Sequence, residues 1–162
     1  MLMNILPEIK LLELKTLIGM HQSMSLVANA TQQLWSKFKP RVGEVQSRRN
    51  EDFISLQIYP PDYFIEFNPL RAFEKWALVE TEAATIAPEG MDIINLPGGL
   101  YAVFNYKGNS NDTRIFQYIY TQWLPASNYV LDSRPHFEVL GPAYIHNDTN
   151  AEEEIYIPIK NK

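Results

Sequence analysis

The chain has 162 residues, of which 46% are hydrophobic and 20% are charged, with a net charge of -5 and no cysteine. This composition is typical of one globular domain with a sizeable core and excludes disordered and fibrous proteins. The acidic balance argues against a nucleic-acid surface, and the lack of cysteine excludes disulfides, cysteine zinc sites and thiol catalysis.

The first half of the chain predicts a strand, a helix and two more strands. Apolar residues at spacings of three and four predict the helix, which Ser23 or Ser25 can cap and which Pro40 ends after Phe38. The strands are predicted over 5–24 (with a bend near Lys15), 53–59 and 73–82.

The second half predicts the same order of elements. Its helix is capped by Asn111 or Asp112, places Ile115 and Ile119 on its buried side, and is ended by Pro125. Its strands are predicted over 91–107 (bent at 97–99), 137–140 and 154–160.

The two halves align as an internal repeat. Leu12 falls on Ile94 at an offset of 82, and Phe53 falls on Phe137 at an offset of 84. A duplicated unit implies two similar halves related by a pseudo-twofold axis. We therefore predict an α+β fold in a single domain, 1–162, built from half-repeats at about 5–83 and 90–160.

Glu138 interrupts an otherwise apolar strand in the second half. A buried carboxylate is costly unless it is paired, and the corresponding residue of the first half is Ile54. This asymmetry between the halves is what a single off-centre binding site would produce. The alternative is a structural carboxylate that pairs with Arg134 or with a lysine at a sheet edge.

Motifs of the second half resemble those of the GyrI-like small-molecule-binding domain, which is also the effector-binding domain of bacterial multidrug-responsive transcription activators. The resemblance covers the whole chain loosely and 88–160 closely. The motifs lie at 96–104, 107–108, 119–125, 134–138 and 155–160.

The resemblance implies a tandem βαββ fold of the SHS2 type, with two antiparallel sheets, outer helices and a central pocket. In the family a glutamate contacts the positive charge of the ligand, and Glu138 matches that position. Tyr101, Trp123 and Tyr156 lie on motif positions that the resemblance assigns to the pocket lining. From the residues alone, core packing is the commoner fate of a helix aromatic such as Trp123, and Tyr156 faces either the pocket or solvent.

The leading hypothesis is a protein that binds small hydrophobic, cationic or aromatic molecules through Glu138. One alternative is a hydrolase of strained or electrophilic small molecules with Glu138 as general base. Another is a gyrase-inhibitor-like interaction protein, which a net charge of only -5 does not favour.

The sequence also indicates which cofactors, partners and targeting segments are not expected. The three histidines show no metal spacing, so neither a metal nor a cofactor is expected. The related activators carry a helix-turn-helix domain, for which the repeat leaves no room, so we expect a stand-alone member without direct nucleic-acid contact. No signal peptide or membrane span is evident, which predicts a cytoplasmic protein.

Overall fold

The computed structural model describes residues 5–82, 86–146 and 148–162. The strands are β1 Glu8–Leu12, β2 Lys15–Met24, β3 Phe53–Ile58, β4 Phe73–Thr81, β5 Asp92–Leu96, β6 Gly99–Lys107, β7 Tyr129–Leu131, β8 His136–Leu140 and β9 Glu152–Asn161. The helices are α1 Thr31–Phe38, α2 Arg114–Tyr118 and α3 Leu124–Ala126, with a 3-10 turn at Lys39–Glu44 and a π-helical turn at Ile119–Trp123. The α+β class is confirmed.

The strands form an antiparallel sheet in the order β1-β6-β9-β8-β3-β4-β2-β5, and β7 pairs with the end of β9. The first half contributes β1, β2, β3 and β4, which correspond to β5, β6, β8 and β9 of the second half. Exchanging corresponding strands gives the same order read from the other end, as a pseudo-twofold axis between β3 and β8 requires. The two antiparallel sheets expected from the resemblance are thus hydrogen-bonded to each other through the β3–β8 pair.

The register at the centre of the sheet follows the same symmetry. Ile54 pairs with Val139, and Ser55 pairs with Glu138. With an offset of 84 between the halves, the axis exchanges these two pairs. Because neighbouring side chains on a strand point to opposite faces, Glu138 and Val139 lie on different sides of the sheet.

The first strand of each half is broken in two, and its leading piece pairs with the other half. β1 pairs with β6, and β5 pairs with β2. Gly98, at the break between β5 and β6, lies against the corresponding break between β1 and β2. Glycine allows this contact, because a Cβ atom at this position would lie 2.6 Å from the carbonyl oxygen of Leu12. The two ends of the sheet therefore meet, and one of its faces turns inward.

We call the two sides of the sheet the inner face and the helix face. The inner face carries Leu17, Leu56 and Tyr101, all fully buried in one hydrophobic cluster. Two further clusters lie on the helix face, one beneath α1 and one beneath α2. Fully burying a side chain of this kind stabilises the fold by about 1.5–3 kcal/mol.

Helix α1 begins later than the sequence predicts. Ser25 does not cap it, because its hydroxyl oxygen instead accepts the backbone N–H of Ala28 at 3.0 Å in a preceding turn. Asn29 lies closer to the helix start, where its side-chain oxygen accepts the N–H of Thr31 at 2.9 Å. A local hydrogen bond thus holds the residues before Thr31 outside the helix.

Pro125 does not end the second helical segment, as the sequence predicts, but lies within it. The N–H of Leu124 bonds to the carbonyl of Ile119, five residues earlier. This wider turn gives room for a proline ring, which in a regular helix collides with the carbonyl one turn back. Within the described residues, no helix has both the length and the hydropathy needed to cross a bilayer.

Candidate functional site

Glu138 lies in the middle of β8, on the helix face of the sheet. Its neighbours across the sheet are Ser55 in β3 and Ile155 in β9. Ile155 belongs to the cluster beneath α2, whereas Phe53, on the same side of β3 as Ser55, packs against the cluster beneath α1. Glu138 therefore lies between the two helix-covered clusters, next to the pseudo-twofold axis.

The polar and charged groups around Glu138 come from three strands, β3, β4 and β9. Burial raises the pKa of Glu138, while the positive charge of Lys75 and a hydrogen bond at 3.3 Å from Gln57 Nε2 to its Oε1 act in the opposite direction. Lys75 is only 8% exposed, and burial lowers its pKa. Burial and the negative charge of Glu138 raise the pKa of Glu153 to about 7. The positive charge of the buried Lys75 ammonium group thus acts on two carboxyl groups, those of Glu138 and Glu153.

Aromatic rings cover this group of charges. The ring of Phe64 stacks on Tyr120, with centroids 4.9 Å apart, and on His136 at 5.4 Å. Tyr59 packs edge-on against His136 at 5.0 Å. The charge of Glu138 adds to the effect of burial in raising the pKa of Tyr59 and Tyr120, so both phenols lie within its electrostatic reach. We call these rings, together with Gln57, Lys75, Glu138 and Glu153, the Glu138 site.

Residues 6–160 match the family described as the GyrI-like small molecule binding domain. The chain belongs to this family. The GyrI-like chain is also 28% identical over 150 residues to the transcriptional regulator BrlR of Pseudomonas aeruginosa. That alignment covers 89% of this chain and 52% of BrlR, so the chain spans about half the length of this curated relative.

Solved structures share the fold of the GyrI-like chain. SAV2435, solved with tetraphenylphosphonium bound, has a TM-score of 0.68 at 16% identity, over 95% of this chain and 93% of SAV2435. The C-terminal domain of EcmrR has a TM-score of 0.71 at 11% identity, over 99% of this chain and 100% of that domain. At these identities the likeness concerns the fold alone.

The four residues predicted to line a pocket in the GyrI-like chain are not brought together. Tyr101 is 0% exposed on the inner face, and Tyr156 stacks there on Phe137 with centroids 4.4 Å apart. Since Phe137 precedes Glu138 in β8, both tyrosines lie on the opposite side of the sheet from Glu138. Trp123 packs edge-on against Phe104, at 5.2 Å, within the cluster beneath α2.

Sequence reasoning missed most of the Glu138 site. The sequence did not place Gln57, Tyr59, Phe64, Lys75, His136 or Glu153 beside Glu138, and for Tyr120 it favoured core packing over pocket lining. A signal was present for Lys75, which interrupts the buried strand β4 just as Glu138 interrupts β8. The described residues include no group of three or more histidine, aspartate or glutamate side chains placed to hold a metal ion.

Tyr120→Phe is expected to lower the free energy of unfolding of the GyrI-like chain by about 1–3 kcal/mol. The Tyr120 hydroxyl bonds to Nδ1 of His136 at 2.9 Å. His136 is 5% exposed, and burial lowers its pKa to about 3, so its ring is neutral and Nδ1 can accept the hydroxyl proton. Removing the hydroxyl leaves a buried nitrogen without its partner. Urea unfolding of both proteins measures the loss.

A matched control is Tyr118→Phe. Its hydroxyl donates to the carbonyl of Ile5 at 3.0 Å, and Ile5 is partly exposed, so water can replace the lost donor. We expect a smaller loss for this variant. Equal losses in the two variants would contradict the role given to the Tyr120–His136 bond.

Proposed function

We propose that this protein binds small hydrophobic cations at the Glu138 site. The observation that carries the proposal is the imbalance of charge on one face of the sheet. Glu138 and Glu153 lie there in β8 and β9, and Lys75 lies opposite Gln57, which donates to Glu138. Among the described residues, Lys75 is the cation whose charge acts on both carboxyl groups. When both carboxyl groups are ionised, one negative charge has no counterion among the residues that the structure describes, in a partly buried setting. A bound cation relieves that cost, because an unpaired buried charge is unfavourable.

The rings of the site support the same class of ligand. Phe64, Tyr120 and Tyr59 offer aromatic surface beside the negative charge, and a good cation–π contact contributes about 0.5–2 kcal/mol. Flat aromatic rings can pack against ligands of different shapes while the positive charge of the ligand stays beside the carboxylates. SAV2435, which shares this fold, was solved with tetraphenylphosphonium, a hydrophobic cation.

Entry to the site involves the segment 59–72, which connects β3 to β4. Phe64 belongs to this segment, and its contacts with Tyr120 and His136 cover the polar groups beneath. A bulky ligand reaches Glu138 by displacing this ring and taking its place in the stack. The proposal therefore includes a local rearrangement of the segment on binding.

The proposed role is that of a cytoplasmic sensor whose effector is the bound compound. The likeness to the transcriptional regulator BrlR supports a role in regulation. Isothermal titration calorimetry with tetraphenylphosphonium tests the binding step directly. We expect saturable binding of one cation per chain, and the absence of binding would contradict the proposal.

The affinity for tetraphenylphosphonium is expected to rise about tenfold between about pH 5 and about pH 8. Glu153 has a pKa of about 7 and is largely neutral at the lower pH, and the pKa of Glu138 is also raised. Raising the pH ionises these groups and strengthens the attraction. The phosphonium charge does not titrate, and His136 stays neutral throughout, so the dependence reports on the carboxyl groups.

The control for this pH series is Glu153→Gln, which removes the group that titrates near pH 7. Calorimetric titrations at each pH should give a much flatter profile for this variant than for the unmodified protein. A profile that is already flat in the unmodified protein would exclude coupling between these carboxyl groups and the ligand.

A further inference from the structure

The inner face of the sheet contains a cavity that the Glu138 site does not use. Its volume is about 140 Å³, and its apolar lining comes from Ile54, Phe137, Val139 and Tyr156. An engineered apolar cavity of about 150 Å³ binds benzene, so this one has room for a single small ring. Because Phe137 and Val139 flank Glu138 in β8, the cavity and the Glu138 site lie on opposite sides of the same strand.

Tyr156 brings a polar group to this apolar lining. Its side chain stacks on Phe137, and the residue is only 9% exposed. Within the described residues the Tyr156 hydroxyl forms no hydrogen bond with another side chain, and Tyr156 lines the cavity, so the hydroxyl is available to a ligand. Burial and nearby carboxylates raise its pKa to about 12, so the hydroxyl keeps its proton and can both donate and accept.

The rim of the cavity carries negative charge. Asp52 and Glu154 line it, are partly buried, and form no ion pair within the described parts of the chain. Both contribute to the raised pKa of Tyr156, which places them near the phenol. The cation on the rim, Lys15, is already paired with Glu80 at 3.3 Å.

We propose that this cavity is a second binding site, which takes a small arylalkyl ammonium ion the size of benzylammonium. The ring of the ligand lies against Phe137 and Tyr156, and its ammonium group meets the carboxylates of Asp52 and Glu154. An ammonium group has three donors, which fit two carboxylates and the phenol oxygen. The site would select for small cations, since a ligand such as tetraphenylphosphonium is too large for the cavity.

The test is a titration of the full chain with benzylammonium, followed by NMR shifts of the protein amides. We expect saturable binding with a Kd on the order of 0.1–1 mM, with ligand-to-protein NOEs to Phe137 and Tyr156. The double variant Asp52→Asn, Glu154→Gln should bind at least about tenfold more weakly. Glu138→Gln, on the other side of the sheet, should leave unchanged the affinity that is read from the amide shifts of the cavity residues Phe137 and Tyr156.

Tyr156→Phe tests the contribution of the Tyr156 hydroxyl to binding separately from that of its ring. It keeps the stack on Phe137, and we expect benzylammonium to bind about three- to tenfold more weakly. Benzyl alcohol, which has the same shape without the charge, should bind the unmodified protein more weakly than benzylammonium. Absence of saturable binding to the unmodified protein, NOEs only to residues outside the cavity, or an equal loss in Glu138→Gln would each overturn the proposal.

Discussion

Glu138→Gln is expected to weaken the binding of tetraphenylphosphonium by about 30- to 100-fold, or about 2–3 kcal/mol. Glutamine keeps the length of the side chain and an oxygen that can accept from Gln57, whose Nε2 donates to Glu138 at 3.3 Å. Only the negative charge is lost. In the variant the one remaining carboxyl group, Glu153, is offset by the positive charge of Lys75, so the site loses the excess negative charge that attracts the cation.

A neutral compound of similar shape, triphenylphosphine oxide, distinguishes charge recognition from loss of shape. Its affinity should change by less than about threefold in Glu138→Gln, because stacking and apolar burial are unaltered. Glu154→Gln is the matched control variant, since it makes the same chemical change on the inner face. Calorimetry that gave equal losses for the cation and the neutral compound would contradict the role of Glu138.

Arg134→Ala is expected to lower the free energy of unfolding by about 3–5 kcal/mol, which corresponds to a fall in Tm of roughly 10 °C. Nη2 of Arg134 donates to the carbonyl oxygens of Leu100 and Ile159, at 2.7 and 3.0 Å. Nε donates to Asp132 at 3.3 Å, and the guanidinium lies 4.6 Å from the centroid of the Tyr101 ring. Truncation leaves these acceptors without their donor and opens a void over the ring.

Arg114→Ala is the control for this change. Arg114 also follows an aspartate by two residues, with its Nη2 2.6 Å from Asp112 Oδ2, but its side chain is 70% exposed. Its removal should leave Tm nearly unchanged, because exposed ion pairs add little. Arg134→Lys should recover less than half of the loss, since an ammonium group lacks the planar fork. Thermal unfolding that gave similar shifts for both arginines would contradict this account.

Much of the fold could be predicted from the sequence because its signals are local. Alternation and turn residues predicted strands close to the observed ones, and the bend at 97–99 separates β5 from β6 as expected. The GyrI-like resemblance is likewise confirmed by the match over residues 6–160. Strand β7 was missed, since its three residues, Tyr129–Leu131, are too short to show a period.

The composition of the site could not be predicted because it depends on register between strands distant in sequence. Alternation already separates Glu138 from Phe137. That Tyr156 pairs with Phe137, and so shares the face opposite Glu138, is fixed only by the alignment of β8 with β9. Lys75 reaches the site from β4, more than 60 residues earlier. A one-residue shift in the pairing of β8 with β9, or of β3 with β4, would have placed different side chains beside the Glu138 carboxylate.

The reciprocal exchange of β1 and β5 makes each half of the chain depend on the other for a complete sheet. A polypeptide corresponding to one half would expose backbone donors and acceptors along β6 or β2, where the missing strand belongs. Because β1 contacts a strand about 90 residues later, the native state cannot form by stepwise local growth and should emerge slowly, in one concerted event. Two separately produced fragments should therefore complement each other on mixing.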